Sequence, residues 1–174
     1  MKGSVVVAAA EEVLLQGRAL LAEVDPELYV IRAGDPFNAS IGQHYRHVLD
    51  HFTCFLAGMT SDAIDYDMRS RSRELESNTE HARNVTEQLI QVLKATPTPA
   101  WERECNVVYT VGYGKQAPSV IASTLQRELA FCVSHSVHHY AIIRLLCAHL
   151  RVQVPSEFGI APSTLKYRLA QLAN

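Results

Sequence analysis

Four long stretches of this chain repeat apolar residues with the period of an α-helix, separated by polar or proline-bearing connections, and that patterning dictates a helix bundle. Val13, Leu14, Leu20, Leu21 and Val24 share one face over residues 11–24, which Pro26 closes. Ser40-Ile41-Gly42-Gln43 has the form of a capping box, in which the serine oxygen and the glutamine side chain each satisfy a free backbone N–H. The helix it opens carries Ile41, Val48, Phe52 and Phe55 and runs to about Ala57, with Gly58 as its stop. A polar connection over 60–73 follows, and Ser77-Asn78-Thr79-Glu80 reads as a second capping box ahead of the stripe Ala82, Val85, Leu89, Ile90 and Leu93. Ser123-Thr124-Leu125-Gln126 reads as a third and begins the longest pattern, reaching about Arg151 and spanning roughly 40 Å at 1.5 Å per residue. A last helix is expected from Pro162 to Leu172, since proline favours the first helical position. The β-rich run 107–111 and the turn Gly112-Tyr113-Gly114-Lys115 allow one short hairpin, with Pro118 weakening its returning strand. The expectation is an all-α protein: a single domain over 1–174, a four-helix bundle with an extra C-terminal helix and at most a short β-hairpin.

Composition narrows the function classes. Sixteen Lys and Arg against eighteen Asp and Glu give a net charge of −2, so the basic footprint of a nucleic-acid binder is absent. Residues 161–169 superficially resemble a DNA-recognition helix, but the loop before them is too long and irregular for a helix-turn-helix. Cys54, Cys105, Cys132 and Cys147 show no CxxC spacing and read as reduced thiols, those of the long helix as inert core groups. The apolar run near the start is too short for a signal-peptide core, and no segment approaches a membrane span of about 20 apolar residues. A soluble, cytoplasmic protein without membrane or nucleic-acid partners is the expectation.

Histidine is the unusual residue, with eight in all and six in two short segments, His44, His47, His51 and His135, His138, His139. His135 and His139 stand four apart on one helix face, as two ligands of one metal ion must. A helical wheel sets this pair beside the apolar stripe of Leu125, Leu129, Cys132, Ser136, Ile143 and Leu150, and turns His138 further out. A third imidazole from the 44–51 cluster would leave an open coordination position for water or substrate. Periodicity favours His44 or His51 for that place, both nearer the apolar stripe than His47.

Ser40-Ile41-Gly42-Gln43-His44-Tyr45-Arg46-His47-Val48-Leu49-Asp50 resembles the first signature of the DinB/YfiT-like superfamily, and His135-Ser136-Val137-His138-His139-Tyr140-Ala141 resembles its second. Motif spacing and helix order fit over nearly the whole chain. The resemblance implies a DinB-like bundle with metal ligands at His47, His135 and His139, against the wheel's preference, and leaves His44, His51 and His138 as pocket residues. It also implies a homodimer, a small-molecule substrate, and use of a low-molecular-weight thiol in a transferase- or hydrolase-type reaction. The alternative is a non-catalytic metal-binding or stress-related interaction protein on the same bundle. Imidazole ligation suits several divalent ions, Zn²⁺ and Ni²⁺ foremost. Such an ion should be released on acidification through roughly pH 6.5 and below, because protonated imidazole cannot ligate.

Three other features carry chemistry. Asp50, three residues after His47, could accept that ring's N–H and fix its tautomer, or be a surface carboxylate. Glu128, seven residues before His135 on the same face, is a candidate general base, with a salt bridge as the simpler role. Arg69, Arg71 and Arg73 could grip a carboxylate of a thiol cosubstrate, but beside Asp65 and Asp67 they read more simply as a solvated connection.

Overall fold

The computed structural model describes residues 2–61, 63–115 and 117–172. Helix α1 (Lys2–Glu23) begins well before the expected residue 11, because the strong helix formers Ala8, Ala9 and Ala10 continue the helix toward the N-terminus and Ala10 is fully buried. Pro26 does more than close it. Asp25 accepts the Glu27 N–H at 2.7 Å and Pro26 takes the first position of a short helix α2 (Pro26–Val30).

Helix α3 (Ile41–Gly58) opens on the Ser40/Gln43 capping box, with both reciprocal bonds at 3.1 Å. It ends where strand β1 (Ala63–Asp65) crosses it: a Cβ on Gly58 would stand 2.6 Å from Ile64 Cα, so only glycine admits this approach. The short helix α4 (Arg73–Ser77) leads into α5 (Thr79–Ala95). The cap of α5 is Asn78, whose side chain accepts the His81 N–H at 2.9 Å, rather than Ser77. After a 3₁₀ turn (Thr98–Glu102) come β2 (Glu104–Tyr109) and β3 (Ser119–Thr124), antiparallel with Glu104 opposite Thr124 and Tyr109 opposite Ser119. This is the expected hairpin, with its returning strand starting just after Pro118. Strand β1 adds to it in parallel, Ile64 opposite Val107, so the sheet has the order β1-β2-β3.

Thr124 ends β3 and caps α6 (Leu125–His149), accepting the Arg127 N–H at 3.3 Å. Of the three expected capping boxes, that at Ser40 forms as expected; the cap residues of α5 and α6 are Asn78 and Thr124, each one position later than the expected Ser77 and Ser123. Helix α7 (Pro162–Leu172) lies where expected and buries none of its described side chains. Around the bundle, α1 packs on α5 and α6, and α3 packs on α6 and α5, which puts α1 diagonally opposite α3. The core is aromatic as well as aliphatic: Tyr29, Tyr45, Phe52, Phe55, Tyr66, Trp101, Tyr140 and Phe158 are all buried. No helix among the described residues is long and apolar enough to cross a membrane.

Candidate metal centre

The α3–α6 contact brings the two histidine segments together. His135 Nε2 and His47 Nε2 are 3.0 Å apart, and the rings of His47 and His139 have centroids 4.4 Å apart. His47, His135 and His139 each offer a ring nitrogen, and these nitrogens all lie within 4.8 Å of one another. Three nitrogens at about 2.1 Å from a tetrahedral ion stand about 3.4 Å apart, so the trio needs only small adjustments to share one ion. Among the described residues this is the one His/Cys/Asp/Glu cluster with ligand spacing, and the donor set is three neutral imidazoles.

Burial keeps those imidazoles neutral. Desolvation, then the neighbouring histidines, pull His47 down to about 2, His139 to about 3 and His135 to about 4. The ligand set thus stays deprotonated well below the pH 6.5 of free imidazole.

His44 and His51 support the trio from either side. His44 Nδ1 meets His139 Nδ1 at 3.0 Å, which leaves the Nε2 of His139 to face a ligand. His51 donates from Nδ1 to the His47 carbonyl oxygen at 2.9 Å, and its buried ring packs on His135 at 4.0 Å. Both sit against the cluster, as their place on the wheel requires. His47 enters it from the stripe's edge, because the close α3–α6 contact turns that edge inward. His138 is exposed and lies 5.2 Å from the His139 ring, at the outer rim.

Asp50 and Glu128 are engaged elsewhere. The fully buried Asp50 carboxylate accepts from Arg46 Nη1 at 3.0 Å and from Ser70 Oγ at 3.1 Å, and Arg46 also bridges Glu76. Glu128 accepts from Ser123 Oγ at 2.5 Å and Arg127 Nη1 at 3.0 Å. Phe131, one turn further along α6, stacks on His135 at 5.5 Å, so the Glu128 carboxylate belongs to the wall beyond that ring. There, Tyr66, Val107, Ile121, Glu128 and Phe131 line a cavity of about 290 Å³ between the sheet and α6. Burial pushes the Cys132 thiol up to about 12 and that of Cys147 to about 11, so both are inert core thiols.

Two residues of the 60–73 connection reach this region without any periodic signal. Tyr66 stacks on His51 at 5.4 Å, and Arg69 donates from Nη1 to the Tyr66 carbonyl oxygen at 2.7 Å. Their position depends on β1 pairing with β2, a three-residue strand too short to register as a pattern.

Residues 14–143 match the DinB superfamily. The fold is similar to that of a DinB-like protein, YjoA, of Bacillus subtilis, with a TM-score of 0.64 at 13% identity over 86% of this chain and 95% of that one. It is also similar to that of YfiT of Bacillus subtilis, with a TM-score of 0.58 at 17% identity over 87% of this chain and 89% of that one. YfiT is described as "a probable metal-dependent hydrolase with an unusual four-helix bundle topology". A stretch of 104 residues is 29% identical to FK506-binding protein 5 of Rhizopus delemar, covering 60% of this chain. That match spans only 27% of the relative's length.

Proposed function

This chain belongs to the DinB superfamily, and from that premise we propose that it is a metal-dependent hydrolase centred on His47, His135 and His139. The observation that carries the reading is the trio itself, three neutral and half-buried imidazoles from two helices within 4.8 Å. A divalent ion held there, Zn²⁺ or Ni²⁺, would keep an open position and lower the pKa of a water or thiol bound to it. The description of YfiT as a hydrolase supports water as the nucleophile.

The chain's own residues prepare the centre in three ways. His135 and His139, one turn apart on α6, hold two donors in fixed relation, so only the placement of His47 depends on packing. His44 orients the His139 ring through the 3.0 Å contact between their Nδ1 atoms, and His51, held to the His47 carbonyl oxygen at 2.9 Å, packs its ring on His135. Tyr66 against His51 and Phe131 against His135 cover one side of the cluster with aromatic rings, and a less watery surrounding strengthens the electrostatic interactions there.

The test is metal analysis of protein purified without a histidine tag, followed by turnover assays of the loaded protein with activated esters and amides, with and without small thiols. Turnover that needs metal and no thiol supports the hydrolase. Turnover that requires a thiol moves the assignment to a thiol-dependent transferase on the same ligands, and bound metal with neither activity favours a non-catalytic metal-binding protein.

A further inference from the structure

Arg69 stands apart from its neighbours in sequence. Arg71 and Arg73 are exposed, as a solvated connection requires, whereas the Arg69 Nε is buried and has no hydrogen-bond partner. Its Nη1 is pinned to the Tyr66 carbonyl oxygen at 2.7 Å, and among the described residues no carboxylate forms an ion pair with it. The nearby acids are committed elsewhere: Asp50 to Arg46 and Ser70, Asp65 to the backbone N–H groups of Asp67 and Met68, and Asp67 to Thr110. Tyr66, which anchors Arg69, stacks on His51, and the Arg69 charge bears on His47, His51 and His135.

A buried donor on a charged group without an acceptor is costly, and native proteins rarely leave one unmade. With Nη1 occupied, the Nε–Nη2 edge is the fork left to match the two oxygens of a carboxylate, and a small shift of the side chains that cover Nε would open it to a ligand. We propose that Arg69 is the anion-binding residue of the histidine centre, its Nε–Nη2 edge gripping a carboxylate of the ligand whose other end reaches the trio. The substrate class is thereby narrowed to carboxylate-bearing small molecules. This rests on the metal-centre reading above, because the ligand is placed between that centre and Arg69.

The experiment titrates Co²⁺ into the parent, Arg69→Gln and Arg69→Lys, then titrates each loaded protein with 3-mercaptopropionate and with 3-mercaptopropanol, reading the sulfur-to-cobalt absorption band. The parent is expected to bind the acid at least tenfold more tightly than the alcohol. Neither variant should bind cobalt more weakly than the parent, while that preference falls to within about twofold. Arg69→Lys keeps the charge and loses the fork, which guards against a Gln variant that fails to fold. A parent that binds cobalt but shows no preference, or variants that keep it, overturn the assignment of Arg69 and leave the metal centre standing. A parent that binds no cobalt overturns both.

Discussion

His135 Nε2 and His47 Nε2 meet at 3.0 Å, joining α6 to α3 across 88 residues of sequence. Without metal, this contact is a hydrogen bond in which one neutral ring donates to the lone pair of the other. An ion at the centre would replace it, with the ring orientation already set by the fold. Preorganisation of this kind depends on the neighbouring rings. His44→Ala, which frees His139 Nδ1, should therefore weaken zinc binding about 10- to 100-fold. Calorimetric titration of Zn²⁺ into His44→Ala checks it, and an unchanged affinity would make the His44–His139 contact incidental.

Stability of the metal-free protein should depend on pH through the same rings. His44, His47, His51, His135 and His139 all have folded-state pKa values lowered by burial. Unfolding returns them to about 6.5. Above that pH neither state is charged and stability is complete. Below it the unfolded chain takes up protons that the folded chain refuses, and stability falls until the folded values, about 4 for His135 and lower for His47 and His139, are reached. The urea midpoint of the apoprotein should drop between pH 7 and pH 5, and His47→Asn should flatten that drop. A midpoint unchanged over this interval in the parent would contradict the burial of the cluster.

Asp50 separates a stabilising role from a metal-tuning one. Removing its buried partner in Arg46→Ala should cost about 3 kcal/mol or more, because a buried carboxylate is left uncompensated. Asp50→Asn should cost less and leave zinc affinity within about twofold, since that carboxylate serves Arg46 and Ser70. Urea denaturation and zinc titration of both variants measure this. A tenfold loss of zinc affinity in Asp50→Asn would restore Asp50 as the partner of His47.

Gly17 tests the packing of α1 against the bundle. A Cβ there would collide with the Tyr140 hydroxyl and stand 2.6 Å from the Tyr45 ring. Alanine in a helix gains up to about 1 kcal/mol over glycine. Overpacking in a well-filled core costs about 1–3 kcal/mol, and here the obstacle is two buried tyrosines. Gly17→Ala should therefore lower the thermal midpoint, and a rise would show that Tyr45 and Tyr140 move aside freely.

The helices were legible because each carries a stripe with period 3.6, and α3, α5 and α7 fall within a residue or so of expectation. What escaped was short or set by tertiary contact. Strand β1 has three residues and no alternation to read, and α4 has five. The start of α1 was hidden by alanines that give no stripe. The i,i+4 pair of the centre, His135 and His139, was visible as spacing on one helix, whereas His47 depends on which edge of α3 faces α6. The resemblance to a family pointed to His47, where the wheel favoured His44 or His51, and it is His47 that stands within ligand spacing of His135 and His139. Arg69 was obscured by composition, since three arginines among aspartates look solvated until β1 pairing draws one of them inward.

The most direct test of the metal centre is calorimetric titration of Zn²⁺ or Ni²⁺ into the parent and into His47→Ala, His135→Ala, His139→Ala, His51→Ala and His138→Ala. Each of the first three removes one of the nitrogens within 4.8 Å, and each should reduce affinity by at least 100-fold. His138, exposed at the rim, should matter only mildly. If His47→Ala binds as tightly as the parent while His51→Ala does not, the third ligand is His51; if none of the variants differs from the parent, there is no centre here and the hydrolase assignment fails with it.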